Sequence, residues 1–211
     1  MSADRLKAFT DGVLAIIVTI MVLELRVPHD AALSSLRPLV PVVLSYVLSF
    51  VYLIIYWNNH HHLLQLTPRV TGGVLWANAH LLFWLSLVPF VTAWMGENHF
   101  TRIPTAAYGV VMFFAGAAYW ILELVIIASQ GPDSVLAAAI GSDLKGKLSL
   151  FIYAISVPLA LIQPSLAGAL YVVVAVIWLI PDRRIERVVA EEEMAEDRVQ
   201  PGRKKPGATW P

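Results

Sequence analysis

The chain has 211 residues, of which 58% are hydrophobic and 14% charged; soluble domains carry about a quarter charged residues, so this composition suits lipid better than water. Fifteen basic and fifteen acidic residues cancel, and no concentrated basic face is left to displace counterions from a nucleic acid, so no nucleic-acid partner is expected. Cysteine is absent, which excludes disulfides, thiolate metal sites and cysteine nucleophiles.

The first apolar run, Phe9 to Val27, is stopped by Pro28. Glu24-Leu-Arg-Val-Pro28 follows its core where a cleaved leader would carry small residues, so a retained span is expected. A polar loop with Asp30 and Ser34-Ser35 leads to a second span, Pro38 to Trp57, with an amphipathic extension through Gln65. Pro68 and Gly72-Gly73 mark the next turn. The third span is expected from Val74 to Met95, ended by Gly96-Glu97-Asn98. The fourth starts near Pro104, a residue suited to a first helical turn, and continues to Ser129 before Gly131-Pro132. From Leu144 to Ile180 the apolar stretch is too long for one span. Gln163-Pro164 divides it into a fifth helix, Leu144 to Ile162, and a sixth, Pro164 to Ile180. Lys145 and Lys147 stand where they can snorkel to the interface.

The fold class is therefore all-α: a polytopic membrane protein with six transmembrane helices over residues 1–181 and a charged tail over 182–211. Arg183 to Glu196 can extend the sixth helix, and the end of the tail has the composition of a disordered segment. Charge asymmetry supports six spans. With both termini cytoplasmic, twelve basic residues lie inside and Arg26, Arg37 and Arg102 outside, as the positive-inside rule requires. A five-span arrangement leaves five inside against ten outside. The expected location is the cell membrane, multi-pass, in contact with the lipid bilayer. No internal repeat and no second domain stand out.

Within the first helix, Asp11 lies two residues into the apolar run. An ionisable group there is costly unless paired or hydrated; it serves either a functional role or a cap at the helix start. Ile16, Thr19, Ile20 and Leu23 follow the helical spacing i, i+3, i+4, i+7 and form one stripe. Such a stripe is either bundle core or a pore lining of apolar rings with one hydroxyl layer; spacing does not separate the two. In His60-His61-His62, neighbouring side chains diverge by about 100°, so they do not converge on one ion and no metal site is expected. Glu24, Glu97, His29 and His99 fall near the outer face, where they attract cations or are simply solvated. Glu123 lies near the inner end of the fourth span, placed to snorkel or to form a local pair, and Trp57, Trp76, Trp94 and Trp178 suit interfacial anchoring. No Ser/His/Asp set, metal spacing or phosphate loop points to an enzyme, and no cofactor is expected. A transporter needs polar groups or broken helices near the midplane, and the first helix has neither between Asp11 and Glu24.

Arg5-x-x-x-Phe9-Thr10-Asp11 resembles the Arg-x-x-x-Phe-Ser-Asp signature opening the first helix of the transmembrane protein 175 family, with threonine in place of serine. Tyr56-Trp57-Asn58-Asn59-His60-His61 is similar to the end of that family's second helix. Trp76-Ala-Asn78 and Leu87-Val-Pro89-Phe90-x-Thr92 resemble its third. The resemblance spans roughly residues 5 to 97; beyond it only hydropathy and helix count agree. It implies a potassium channel without a glycine-rich filter, assembled as a homotetramer around its first helices, with potassium as the permeant ion. It also implies that Ile16 forms the constriction, with Ile20 on the same stripe, Leu23 an outer apolar ring and Thr19 the layer behind potassium preference. Arg5, Phe9, Thr10, Asp11, His60, His61 and Asn78 are then expected to hold the pore helix in place.

Overall fold

The structure is a computed structural model that describes residues 3–28, 30–67, 69–131, 134, 136–137 and 143–179. His29, Pro68, Pro132, Ile180 and the tail from 182 lie outside the described residues.

Helix α1 runs Ala3–Leu23. It begins before the apolar run because Asp4 favours a first turn electrostatically and Arg5-Leu-Lys-Ala are strong helix formers. Asp11 is therefore well inside the helix, which excludes the capping role. A 3-10 helix, Leu33–Leu39, leads into α2, Val40–Gln65, whose first turn accommodates Pro41. The expected extension beyond Trp57 is a continuation of the same helix. Its 26 residues span about 39 Å at 1.5 Å per residue, more than the roughly 30 Å hydrocarbon layer.

The third span departs from the single helix expected. It consists of α3, Gly72–Ser86, and α4, Val88–Glu97, which meet at Leu87. Pro89 has no N–H to continue the ladder, but the break stays closed: Leu87 N–H donates to Trp84 and Val91 N–H to Leu87. His99 and Phe100 then take left-handed backbone conformations, φ 53 and 56, and Phe100 N–H returns to the Met95 carbonyl at 3.0 Å. Helix α5, Arg102–Gln130, is the longest. Helix α6, Leu144–Ile162, has the expected bounds and is capped by Asp143, which accepts from Gly146 N–H at 3.0 Å. Helix α7, Pro164–Leu179, follows after Gln163.

Helix α5 packs against α3, α4, α6 and α7, while α2 touches α1, α4 and α7. Close approach relies on glycine at two crossings. A Cβ at Gly96 of α4 would stand 2.7 Å from Val42 Cα of α2, and one at Gly109 of α5 would run into the Tyr171 hydroxyl of α7. Several polar atoms inside the bundle are paired, as hydrocarbon favours, while Thr105 Oγ1 has no hydrogen-bond partner among the described residues. Ser49 Oγ bonds Thr92 Oγ1 at 2.7 Å and donates to Tyr108 Oη at 3.1 Å; Tyr171 Oη donates to the Thr105 carbonyl at 3.0 Å. Helix α1 lies at the edge of this bundle against α2, α3 and α4, so only part of its circumference is covered.

Candidate functional site: the first helix and its anchor

The covered face of α1 is a single stripe: Leu6, Thr10, Leu14, Ile17 and Met21 are all buried. At about 100° per residue these positions centre some 140° round the helix from Arg5, Phe9, Gly12, Ile16, Thr19 and Leu23. The second set is exposed, Ile16 by 59% and Leu23 by 79%. A core stripe would be covered by the chain's own helices, and this one is not. Ile20, 42% exposed, stands at its margin. With Val13, Ile16, Ile17 and Glu24 it lines an open groove of about 660 Å³ against Pro89, Phe90, Trp94 and Glu97.

Thr19 has a local geometry that spacing alone does not reveal. Its hydroxyl donates to the Ile16 carbonyl one turn back, at 2.9 Å. The proton is thus held against the helix, and the oxygen lone pairs are left for the open side. A hydroxyl in this rotamer is an acceptor toward whatever occupies the space beyond the stripe.

On the covered side, Thr10 is tied to two other helices. Asn78 of α3 donates from Nδ2 to Thr10 Oγ1 at 3.1 Å, and its Oδ1 lies 2.7 Å from His60 Nε2 of α2. An amide oxygen only accepts, so His60 carries its proton on Nε2. All three side chains are at least 97% buried, Asn78 by 99%. One amide therefore joins α1, α2 and α3 through residues 10, 60 and 78. Asp11 points to the flank, where its Oδ1 accepts from Trp57 Nε1 at 2.9 Å. The His61 ring packs on Trp57 at 6.1 Å between centroids, so His61 supports that contact indirectly.

The seven residues expected to steady α1 thus separate into three groups. Thr10, His60 and Asn78 form one buried chain; Asp11 and His61 meet at Trp57; Arg5 and Phe9 are exposed on the open stripe and have no hydrogen-bonded partner among the described residues. Trp57 is the addition to the set. An indole N–H at the same membrane end as an unanswered carboxylate was the available signal, but residues 46 apart in sequence are paired only by folding. At the other end, Arg26 pairs with Glu97 at 3.1 Å beside Glu24. Glu123 departs from expectation. It is 93% buried and turned into the helical bundle, so it does not snorkel to the interface.

Comparison with known proteins bears on this helix directly. The family model for the endosomal/lysosomal potassium channel TMEM175 matches residues 5–89, which include α1 from Arg5 onward and its buried anchor. A potassium channel of Chryseobacterium sp. is 50% identical over 191 residues, covering 90% of this chain and all of that one. The chain belongs to the TMEM175 family. A potassium channel of Chamaesiphon minutus is 37% identical over 44% of the chain and 49% of its own length, and one of Streptomyces collinus 30% identical over 56% and 61%. The crystal structure of a lysosomal potassium-selective channel TMEM175 homolog from Chamaesiphon minutus superposes with a TM-score of 0.73 at 26% identity. That match covers 85% of this chain and 97% of the other. The protein is a membrane protein of all-helical fold, with five helical segments among the described residues long and apolar enough to cross a bilayer.

Proposed function

We propose that the chain is a potassium-selective channel of the cell membrane. In this reading it is a homotetramer whose four copies of α1 surround the pore and whose termini are both cytoplasmic. The observation that carries this reading is the uncovered stripe of α1. Ile16, Thr19 and Leu23 form a continuous face that the subunit's own helices leave open, on a helix whose opposite face is anchored by Asn78. An apolar face toward lipid would need no hydroxyl in its middle and no buried polar anchor behind it.

The residues suggest how such a pore works. Four Ile16 side chains supply no oxygen to replace the hydration of an ion, so a closed ring is a dewetting barrier. Passage requires the ring to admit a largely hydrated ion, or to impose a desolvation cost that potassium meets more cheaply than sodium. Four Thr19 oxygens, each with its proton turned back to the helix, then offer lone pairs to the cation one turn away. Leu23 forms an outer apolar ring, and Glu24 leaves negative charge near the mouth. The anchor fixes the rotation of α1, which decides which side chains meet on the axis.

The transporter reading finds no support at the break before Pro89. A transporter site uses the freed backbone groups of a broken helix near the midplane. At the α3–α4 break those groups bond back into the helix.

The test is purified protein in liposomes under opposed potassium and sodium gradients, with the subunit count measured by mass photometry. The expected result is an unsaturated, passive current reversing near the potassium equilibrium potential, from particles of four chains. A saturable flux coupled to a second ion, or a conducting monomer, refutes the reading.

A further inference from the structure

A separate cavity lies away from α1. It is walled by α2, α5, α6 and α7 and lined by Tyr56, Asn59, Tyr119, Glu123, Tyr153 and Trp178 among others. Its space for water-sized groups is about 50 Å³. One water needs roughly 10–15 Å³ by that measure, so the cavity admits about four water-sized groups. Asn59 on α2 and Asp143 before α6 place it toward the membrane end where α1 begins.

Glu123 makes this cavity chemically specific. It is 93% buried, lines the cavity, and has no hydrogen bond or ion pair among the described residues. A carboxyl in that position is costly to ionise unless a cation answers it. A second carboxyl, Asp143, borders the same space while capping α6. The walls are aromatic: the Tyr56 and Tyr119 rings meet edge to face at 6.0 Å, and Tyr52 and Tyr153 at 6.4 Å. Trp178 is held in place by its indole N–H, which donates to Ser149 Oγ at 2.8 Å. Aromatic faces around a buried carboxylate favour an organic cation with apolar and charged surface. A metal ion would want several oxygen or nitrogen ligands, and no group of three His, Asp or Glu side chains converges among the described residues. A neutral guest would offer Glu123 no counter-charge.

We infer that this cavity binds a small organic ammonium ion, with Glu123 as its counter-charge and the tyrosine and tryptophan faces as its walls. The guest has about four non-hydrogen atoms, set by the volume. A ligand of that size binds no tighter than about 40 μM. The site belongs to each subunit separately and involves no residue of α1.

The test is isothermal titration of the full chain in nanodiscs with isopropylammonium chloride, against isopropanol as the neutral isostere. The expected result is saturable binding of one isopropylammonium per chain, with no saturable binding of isopropanol. Glu123→Gln should weaken the ammonium by roughly tenfold or more, and Glu123→Asp, which keeps the charge, by less. Equal binding of alcohol and ammonium overturns the inference, as does unaltered affinity in a folded Glu123→Gln protein or the absence of saturable binding in the wild type. The comparison of the two isosteres on the wild type needs no variant. One isopropylammonium per four chains would locate the guest in a shared pore. That outcome overturns the cavity site while leaving the channel reading standing.

Discussion

Replacing Asn78 by alanine tests the anchor of α1 more directly than any change on α1 itself. The amide is 99% buried and makes two hydrogen bonds, to Thr10 Oγ1 at 3.1 Å and to His60 Nε2 at 2.7 Å. Truncation leaves a hydroxyl and an imidazole N–H without that partner. Each stranded group costs about 1–3 kcal/mol by the measure of soluble cores, giving roughly 2–6 kcal/mol for the pair. Interhelical hydrogen bonds in membranes average nearer 0.6 kcal/mol, which sets a floor of about 1 kcal/mol for two. The expected loss is therefore between about 1 and 6 kcal/mol, measured by reversible unfolding in mixed micelles with increasing dodecyl sulfate. A double-mutant cycle with Thr10→Ala should show that the two changes are not additive. Both remove the same bond, so the coupling should be about 0.5–1.5 kcal/mol. A loss below about 0.5 kcal/mol together with strict additivity refutes the anchor.

Ile16→Asn places polar groups in the constriction and should raise the current several-fold in liposome recordings; a folded but silent variant counts against Ile16 as the barrier. Thr19→Val removes the acceptor oxygen while keeping the shape, and should shift the reversal potential toward that of a non-selective cation pathway. An unaltered reversal potential removes Thr19 from the selectivity mechanism. Gly96→Ala forces a methyl to 2.7 Å from Val42 Cα, so separating α2 from α4 should cost about 1–3 kcal/mol in the same unfolding assay. Wild-type stability would show that the crossing has slack. Trp57→Phe deletes the donor to Asp11 but keeps the ring against His61. Because that bond is exposed, the loss should stay below about 1 kcal/mol, and a larger one would give Asp11 a greater structural role than its exposure indicates.

Much of the helical framework was legible before any tertiary contact was known. Six apolar runs, punctuated by Pro28, Gly72-Gly73, Gly96-Glu97-Asn98, Gly131 and Gln163-Pro164, correspond to the helical segments in chain order, because a helix in lipid must satisfy its own backbone and so carries its length in its composition. The fifth helix matches to the residue, since Asp143 caps one end and Pro164 opens the next helix. The third span was harder to read: Pro89 signals a break, but a proline in an apolar run is equally compatible with a kinked continuous helix, and the choice depends on how its neighbours pack. The apolar run marks α1 only from Phe9, because hydropathy measures the lipid-facing part, whereas the helix itself starts before Arg5-Leu-Lys-Ala, which is strongly helical.

The opening helix is the clearest case of what each level decides. Its amino-acid sequence by itself determined a spanning helix with Ile16, Thr19, Ile20 and Leu23 on one side, because 3.6 residues per turn is a local property of the backbone. Whether that side is covered could not follow from periodicity, since an apolar stripe looks the same facing a core, a lipid or a pore. Only the packing of α2, α3 and α4 against Leu6, Thr10, Leu14, Ile17 and Met21 leaves Ile16 and Leu23 open. The same holds for Asn78, which becomes the joint of three helices, and for Glu123, which turns from an interfacial carboxyl into part of the wall of a buried cavity. Sequence sets the face on which a side chain lies, but its partners come from helices brought together over long separations, where the azimuth of every helix is fixed by all the others.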